Sequence, residues 1–259
     1  MDTALVTGAG QRLGRAMAVD LGARGYHVAV HYSTSAEGAE ETVEAIRDAG
    51  GEASAFQADL LDDAQTERLF ADVKSQTPGH VTCLVNNASI FEYDTIRTAT
   101  RSSWDRHMQS NLRAPFILTQ MMAEQQVQPE VDAGGEPIAP ALIVNMIDQR
   151  VRKLTPEFMT YTLAKMGLWA LTQTSAQALA PAVRVNAIGP GPTLQGARQS
   201  ENHFRNQRAN TVLERGADPQ DIVAALRYLL DAKAVTGQLI CVDGGQHLGW
   251  QTPDVLGVE

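Results

Sequence analysis

Seven short apolar runs alternate with helix-length amphipathic stretches, and no other feature restricts the fold of this chain as strongly. The runs are ALVTG (4–8), HVAVHY (27–32), ASAFQAD (53–59), CLVNNA (83–88), ALIVNM (141–146), RVNAIG (184–189) and QLICVDGG (238–245). Between them, residues 14–24, 36–49, 62–75, 103–126, 160–179 and 219–231 carry helical spacing and good helix formers. Strands that are apolar at successive positions are buried on both faces, and strands separated by helices make βαβ units. The expectation is an α/β fold: a doubly wound, mostly parallel seven-stranded sheet with helices on both faces.

A chain of 259 residues, 44% hydrophobic, without internal repeats or a dividing linker, suits one domain over 1–259. Its formal charge of −9 argues against nucleic acid or anionic membrane as a partner. The two cysteines, Cys83 and Cys241, stand inside apolar runs and read as buried thiols of a reducing compartment. No HExxH or CxxC spacing occurs among the scattered histidines, so no metal site is expected. Met1 leads into TALVTGAG without a basic segment or a long apolar stretch, and no run reaches the length of a membrane span. The cytoplasm is the expected compartment. Residues 127–140 hold Pro, Gly and acids and read as a surface loop. Residues 190–218 read either as a flap over a site or as an irregular connection. The tail QTPDVLGVE (251–259) either reaches a neighbouring subunit or is disordered.

Between the first run and the first helix lies TGAGQRLG, residues 7–14. A glycine turn opening a helix offers backbone N–H groups to a pyrophosphate. Gly8, Gly10 and Gly14 do not fit GxGxxG, and Arg12 stands where such turns usually carry no side chain. The loop resembles instead the TGxxx(x)xG element of the short-chain dehydrogenase/reductase family. Four more segments resemble that family in order and spacing: NNAS (86–89), Asn111 in QSNLRAPF, YTLAK (161–165) and GPGP (189–192). The resemblance spans roughly residues 3–248. It implies a Rossmann-like fold, a nicotinamide cofactor, and a tetramer joined through the 103–126 and 160–179 helices. It also implies cofactor contacts from Gly8, Gln11, Arg12, Leu13 and Gly14 in the loop, and from Asn87, Ala88 and Ser89 after the fourth strand. Tyr161, Lys165, Pro190 and Gly191 complete that set, with Asp59 receiving the adenine amino group beside Leu60. For Asp59, capping the third helix is a compatible second reading.

The choice of cofactor follows from what is missing. NAD selectors place an acid after the second strand to hold both ribose hydroxyls. Here that position reads His31-Tyr32-Ser33-Thr34-Ser35, and the first acid is Glu37. Without that carboxylate a 2′-phosphate is not repelled, and three hydroxyl side chains can donate to it. NADP(H) is the expected cofactor, with His31, Tyr32 and Ser33 beside it.

Tyr161 and Lys165 stand at i and i+4, on one face of a helix. A tyrosine titrates near 10, and a nearby ammonium is expected to lower that value. In the resembled family this Tyr transfers a proton, Lys also binds the ribose, and Asn111 supports a water path to the lysine. The family's usual third member is a serine thirteen positions before the tyrosine, where this chain has Asp148. No serine or threonine lies from Pro140 to Leu154, so no shift in alignment restores one. An ionised carboxylate would oppose a developing oxyanion by about 4 kcal/mol at ~4 Å and an effective dielectric of ~20, roughly three decades in rate. A carboxyl does suit reduction of a C=N bond, whose nitrogen must gain a proton.

The same substitution marks the pteridine reductases and related dihydromonapterin reductases. Arg12 in the loop, NNASIF (86–91) and GPGPTL (189–194) also resemble that branch. The resemblance implies that Phe91 stacks on a pterin ring, Ser89 touches cofactor and substrate, Leu194 lines the pocket mouth, and Arg12 contacts phosphate and ring. Asp148 and Tyr161 would then face a dihydropterin-like small molecule. Two positions depart from the branch: Ser33-Thr34 lack a basic residue, and Ile90 replaces a small polar one. Two alternatives stay open: a carbonyl or 3-oxoacyl reductase tolerating Asp148, and a non-catalytic NADP(H)-binding sensor.

Overall fold

In the computed structural model, residues 1–196 and 199–252 are described. Residues 197–198 of the 190–218 segment, and 253–259 of the tail, lie outside them. The chain runs β1 (Thr3–Val6), α1 (Arg12–Ala23), β2 (His27–Tyr32), α2 (Ala36–Asp48), β3 (Glu52–Gln57), α3 (Asp63–Gln76) and β4 (Val81–Asn86). It continues through α4 (Arg101–Met108), a π-turn (Gln109–Arg113), α5 (Ala114–Ala123), and a hairpin of β5 (Glu130–Val131) and β6 (Pro137–Ile138). Then come β7 (Ala141–Met146), a 3₁₀ turn (Gln149–Val151), α6 (Met159–Ala178), β8 (Val183–Pro190), α7 (Glu201–Ala209), α8 (Pro219–Asp231) and β9 (Leu239–Val242).

The seven-stranded sheet has the order β3-β2-β1-β4-β7-β8-β9, and its strand pairs are parallel. Alternate strand residues feed two cores. Ala4, Val6, Val28, Val85 and Val144 meet Met17 and Leu21 of α1, Val43 of α2 and Leu226 of α8. Leu5, Ala29, Leu84, Ile143 and Val185 meet Phe70 of α3, Leu118 of α5 and Ala176 of α6. This is the expected doubly wound sheet. The chain moves outward from β1 through β2 to β3, then restarts at β4 and moves the other way. Between β1 and β4 the connections leave in opposite directions, opening the crevice in which such sheets bind ligands.

Three local expectations change. The 103–126 helix is interrupted by the π-turn, because Pro115 has no N–H to donate to the carbonyl of Asn111. The last strand stops at Val242, because Gly244 and Gly245 take positive φ (64° and 80°) and turn the chain. Residues 190–218 contain α7, whose residues are none of them buried. A Ser200 cap on the His203 N–H and an Arg205–Glu201 pair at 2.7 Å hold it, so it carries no apolar period to read.

Candidate active site

The loop after β1 is braced before any ligand is considered. Thr7 Oγ1 accepts the N–H groups of Asn87 (2.9 Å) and Ala88 (3.0 Å). Asn87 Nδ2 donates back to the carbonyls of Thr7 (2.9 Å) and Gly8 (3.1 Å). The segments after β1 and β4 are thereby locked across the crevice. Gly14 packs so tightly that a Cβ there would lie 2.2 Å from the Gly8 carbonyl oxygen. Arg12 adopts φ +54°, a left-handed conformation that costs a non-glycine residue about 1–2 kcal/mol.

His31 does not face this cleft. Its Nδ1 accepts the Gly8 N–H at 3.0 Å and its Nε2 donates to the Ala58 carbonyl at 3.1 Å, so its tautomer is fixed. Burial pushes its pKa down to about 4, keeping it neutral. The expected cofactor contact is therefore a brace behind the glycine loop. Leu60 is buried in the core. Asp59 Oδ1 accepts the Leu61 N–H, and the cap of α3 is Asp62, which accepts the Gln65 N–H.

Two cavities, about 370 and 270 Å³, share Arg12, Leu13, Asn87 and Ser89 and form one bent cleft. The larger arm is walled by the glycine loop, Tyr32, Ser33, Thr34 and Ser35. The smaller arm is walled by Phe91, Asp148, Tyr161, Lys165, Pro190, Gly191 and Leu194. The structure thus gathers residues from six segments. It adds Met146, Ile147 and Thr193, to which the motifs assigned no role. The guanidinium of Arg12 crosses to the far wall and donates to the carbonyls of Leu194 (3.1 Å) and Gln195 (3.0 Å). Arg12 therefore fastens the glycine loop to the segment after β8.

At the centre, the Tyr161 hydroxyl donates to Asp148 Oδ2 at 2.9 Å. Asp148 Oδ1 accepts the Arg150 N–H at 2.8 Å, which fixes the carboxyl at the head of the 3₁₀ turn. Burial raises the pKa of Asp148 against the opposing pull of Arg150 and Lys165. Burial together with the charge and hydrogen bond of Asp148 raises Tyr161 well above 10. The net shift of Tyr161 is thus upward, opposite to the expected lowering by Lys165 and the cofactor's charge, because burial and Asp148 outweigh the cations nearby. Lys165 Nζ donates to the Met146 carbonyl at 2.7 Å, and its own pKa falls with burial to about 8. Asn111 is fully buried, and its amide brackets Ile90, accepting the N–H and donating to the carbonyl, both at 2.8 Å. Phe91 is half exposed; its ring lies edge-on to Tyr161 and stacks on Phe158 at 4.3 Å with 7° between planes.

The residues present can hold a dinucleotide. The glycine cradle, which a Cβ would fill, opens onto the start of α1. Ser33, Thr34 and Ser35 bring hydroxyls and no carboxylate to the far end of the larger arm. A family model described as enoyl-(acyl carrier protein) reductase matches residues 8–247. The 3-oxoacyl-[acyl-carrier-protein] reductase FabG of Staphylococcus epidermidis is 31% identical over 95% of this chain and 99% of its own. FolM alternative dihydrofolate reductase 1 from Brucella suis, crystallised with NADP, is 40% identical with a TM-score of 0.89, covering 98% of both chains. The landomycin C-6 ketoreductase LanV, with bound NADP and rabelomycin, is 32% identical with a TM-score of 0.81, covering 96% of this chain and 97% of its own.

Proposed function

This chain belongs to the short-chain dehydrogenase/reductase family, and we propose that it is an NADPH-dependent reductase acting on the C=N bond of a dihydropterin-like substrate. The observation that carries this reading is the direct Tyr161–Asp148 hydrogen bond inside the cleft. The FolM relative, at 40% identity, supports the same substrate class.

Gly8, Gln11, Leu13 and Gly14 would hold the pyrophosphate, Tyr32 and Ser33 the 2′-phosphate, and Asn87, Ala88, Pro190 and Gly191 the nicotinamide end. When bound, the cofactor supplies hydride to the substrate carbon. Tyr161, held as a neutral phenol by burial and by Asp148, donates a proton to the adjacent nitrogen. Asp148, whose raised pKa lets it keep a proton above the usual carboxyl range, restores the phenol once the Tyr161 hydroxyl turns from Asp148 Oδ2 to the substrate nitrogen and accepts from the carboxyl instead. Lys165 brings positive charge beneath the Tyr161 ring, with Nζ 5.6 Å from its centroid, and would hold the cofactor's ribose. Phe91, stacked on Phe158, lines the arm in which a fused heterocycle would lie. Asn111 acts through Ile90 by fixing the loop that carries Ser89 and Phe91.

The deciding experiment offers dihydrobiopterin, dihydromonapterin, dihydrofolate and a set of ketones with NADPH and with NADH. Pterin turnover with NADPH is the expected result; turnover of ketones without any pterin sinks the reading. The FabG relative gives a 3-oxoacyl substrate its place in the same panel. Sustained NADPH oxidation with any substrate excludes a non-catalytic sensor.

Arg12 gives a second test. Arg12→Gly removes the left-handed strain and also the clasp on Leu194 and Gln195. KM for the pterin should rise about three- to tenfold, while the Kd for NADPH changes less than twofold and the melting temperature does not fall. These magnitudes correspond to about 0.7–1.4 kcal/mol, the net worth of one ordinary hydrogen bond. A larger loss of NADPH binding than of substrate binding would assign Arg12 to the phosphates instead.

A further inference from the structure

The first turn of α6, which carries Tyr161, does not cap itself. Its N-cap, Phe158, lies in the left-handed region at φ +55° and supplies no side-chain cap. Asp94, from the loop that also bears Phe91, does this instead and is only 2% exposed. Its Oδ1 accepts the Thr160 N–H at 3.1 Å, its Oδ2 accepts the Thr160 hydroxyl at 2.5 Å, and its backbone carbonyl accepts the Met159 N–H at 3.3 Å.

Behind this cap stands His107 of α4, with no exposed surface. Its Nε2 lies 3.1 Å from the Glu92 N–H, a group that can only donate. Nε2 must therefore be bare, and the single ring proton sits on Nδ1. Nδ1 then donates to Thr160 Oγ1 at 2.7 Å, and the Thr160 hydroxyl in turn donates its hydrogen bond to Asp94. Every donor and acceptor in the chain Glu92 N–H, His107, Thr160, Asp94 has one permitted role. We propose that His107, Thr160 and Asp94 are positioning residues that lock the Phe91 loop to the first turn of α6 and hold Tyr161 in place for proton transfer, but only while His107 is neutral.

Protonating Nε2 would set two donors against each other at Glu92, and the loop would have to move. The groups facing the ring are Asp94 and Glu92 from the loop, Arg106 and the Ser103 carbonyl from α4, and Tyr161 from α6, 5.9 Å between centroids. Burial, with Arg106 adding to it, outweighs the two acids and puts the His107 pKa below the ordinary 6.5. The acid fall of activity is thus expected below that value. Asp148 acts in the opposite sense, since its proton is lost as pH rises, so the two are separable.

The inference rests on reading Tyr161 as the proton donor, and the experiment keeps the two apart. kcat is measured across pH, with NADPH and whichever pterin or ketone turns over, for wild type, His107→Gln, Thr160→Val, Thr160→Ser and Tyr161→Phe. His107→Gln cannot titrate and should lose the acid fall. Thr160→Val should lower kcat about tenfold at every pH with KM for NADPH unchanged, and Thr160→Ser should recover most of it. An unchanged acid fall in His107→Gln, or a Thr160→Val within twofold of wild type, overturns the proposal. If His107→Gln fails to bind NADPH and so has not folded, the Thr160 pair decides alone. If Tyr161→Phe stays fully active, the proton-donor reading fails as well; if it is dead while Thr160→Val is normal, only this inference falls.

Discussion

Tyr161→Phe is expected to lower kcat by 10²–10⁴-fold, the range general acid catalysis supplies, or about 3–5 kcal/mol of barrier. Phenylalanine fills the same space against Phe91 and His107, so the packing of that ring is kept. What disappears is one hydroxyl and its hydrogen bond to Asp148. The stability cost should stay near 1 kcal/mol, and a melting curve checks that the loss of rate is not a loss of fold. The pH profile adds a second check. In the free enzyme Tyr161 titrates well above 10, whereas Lys165 titrates near 8. As pH rises through 8, Lys165 loses its charge first, so kcat/KM should begin to fall there, well before the phenol itself ionises. An alkaline fall placed at 10 or above would separate Lys165 from the reaction.

The sign of the Tyr161 shift shows what the sequence could and could not carry. The i,i+4 spacing correctly put Lys165 on the same face as Tyr161, and the strand pattern correctly put both beside a parallel sheet. Spacing along one helix says nothing of where an ammonium's hydrogens go. Here a hydrogen bond goes to Met146 at the end of β7, while the carboxyl thirteen residues upstream reaches the hydroxyl itself. His31 fails for a similar reason. The loop after β2 is legible as a cofactor wall, but β2 is buried on both faces, and a histidine at its end can turn inward when a bare N–H such as that of Gly8 needs an acceptor. The brace formed by Asp94, Thr160 and His107 leaves no motif at all, because its members lie 13 and 53 residues apart and meet only after folding. The π-turn was legible in principle, since Pro115 stands four residues past Asn111 inside an otherwise helical stretch.

Asp148→Ser should separate the two substrate classes more sharply than any other single change. A serine hydroxyl can donate to a developing oxyanion, and above the pKa of Asp148 it also removes a carboxylate whose repulsion is worth about 4 kcal/mol at ~4 Å and an effective dielectric of ~20. Ketone reduction should therefore rise. Pterin reduction should fall at least tenfold, because the serine cannot hold the extra proton that restores Tyr161. The pH dependence works in the same direction. Asp148 has a raised pKa, so its proton is present below that value and is lost as pH climbs through it. Wild-type pterin reduction should decline across that interval, and the decline should vanish in Asp148→Ser. Asp148→Asn supplies the geometric control: it keeps the shape but carries no exchangeable acid, its single amide oxygen replacing one of the two acceptors that meet Arg150 and Tyr161. If Asp148→Asn reduces pterins as fast as wild type, the carboxyl only orients the phenol. If it is as slow as Asp148→Ser while ketone reduction rises in the serine variant alone, the proton of Asp148 is what commits this cleft to nitrogen.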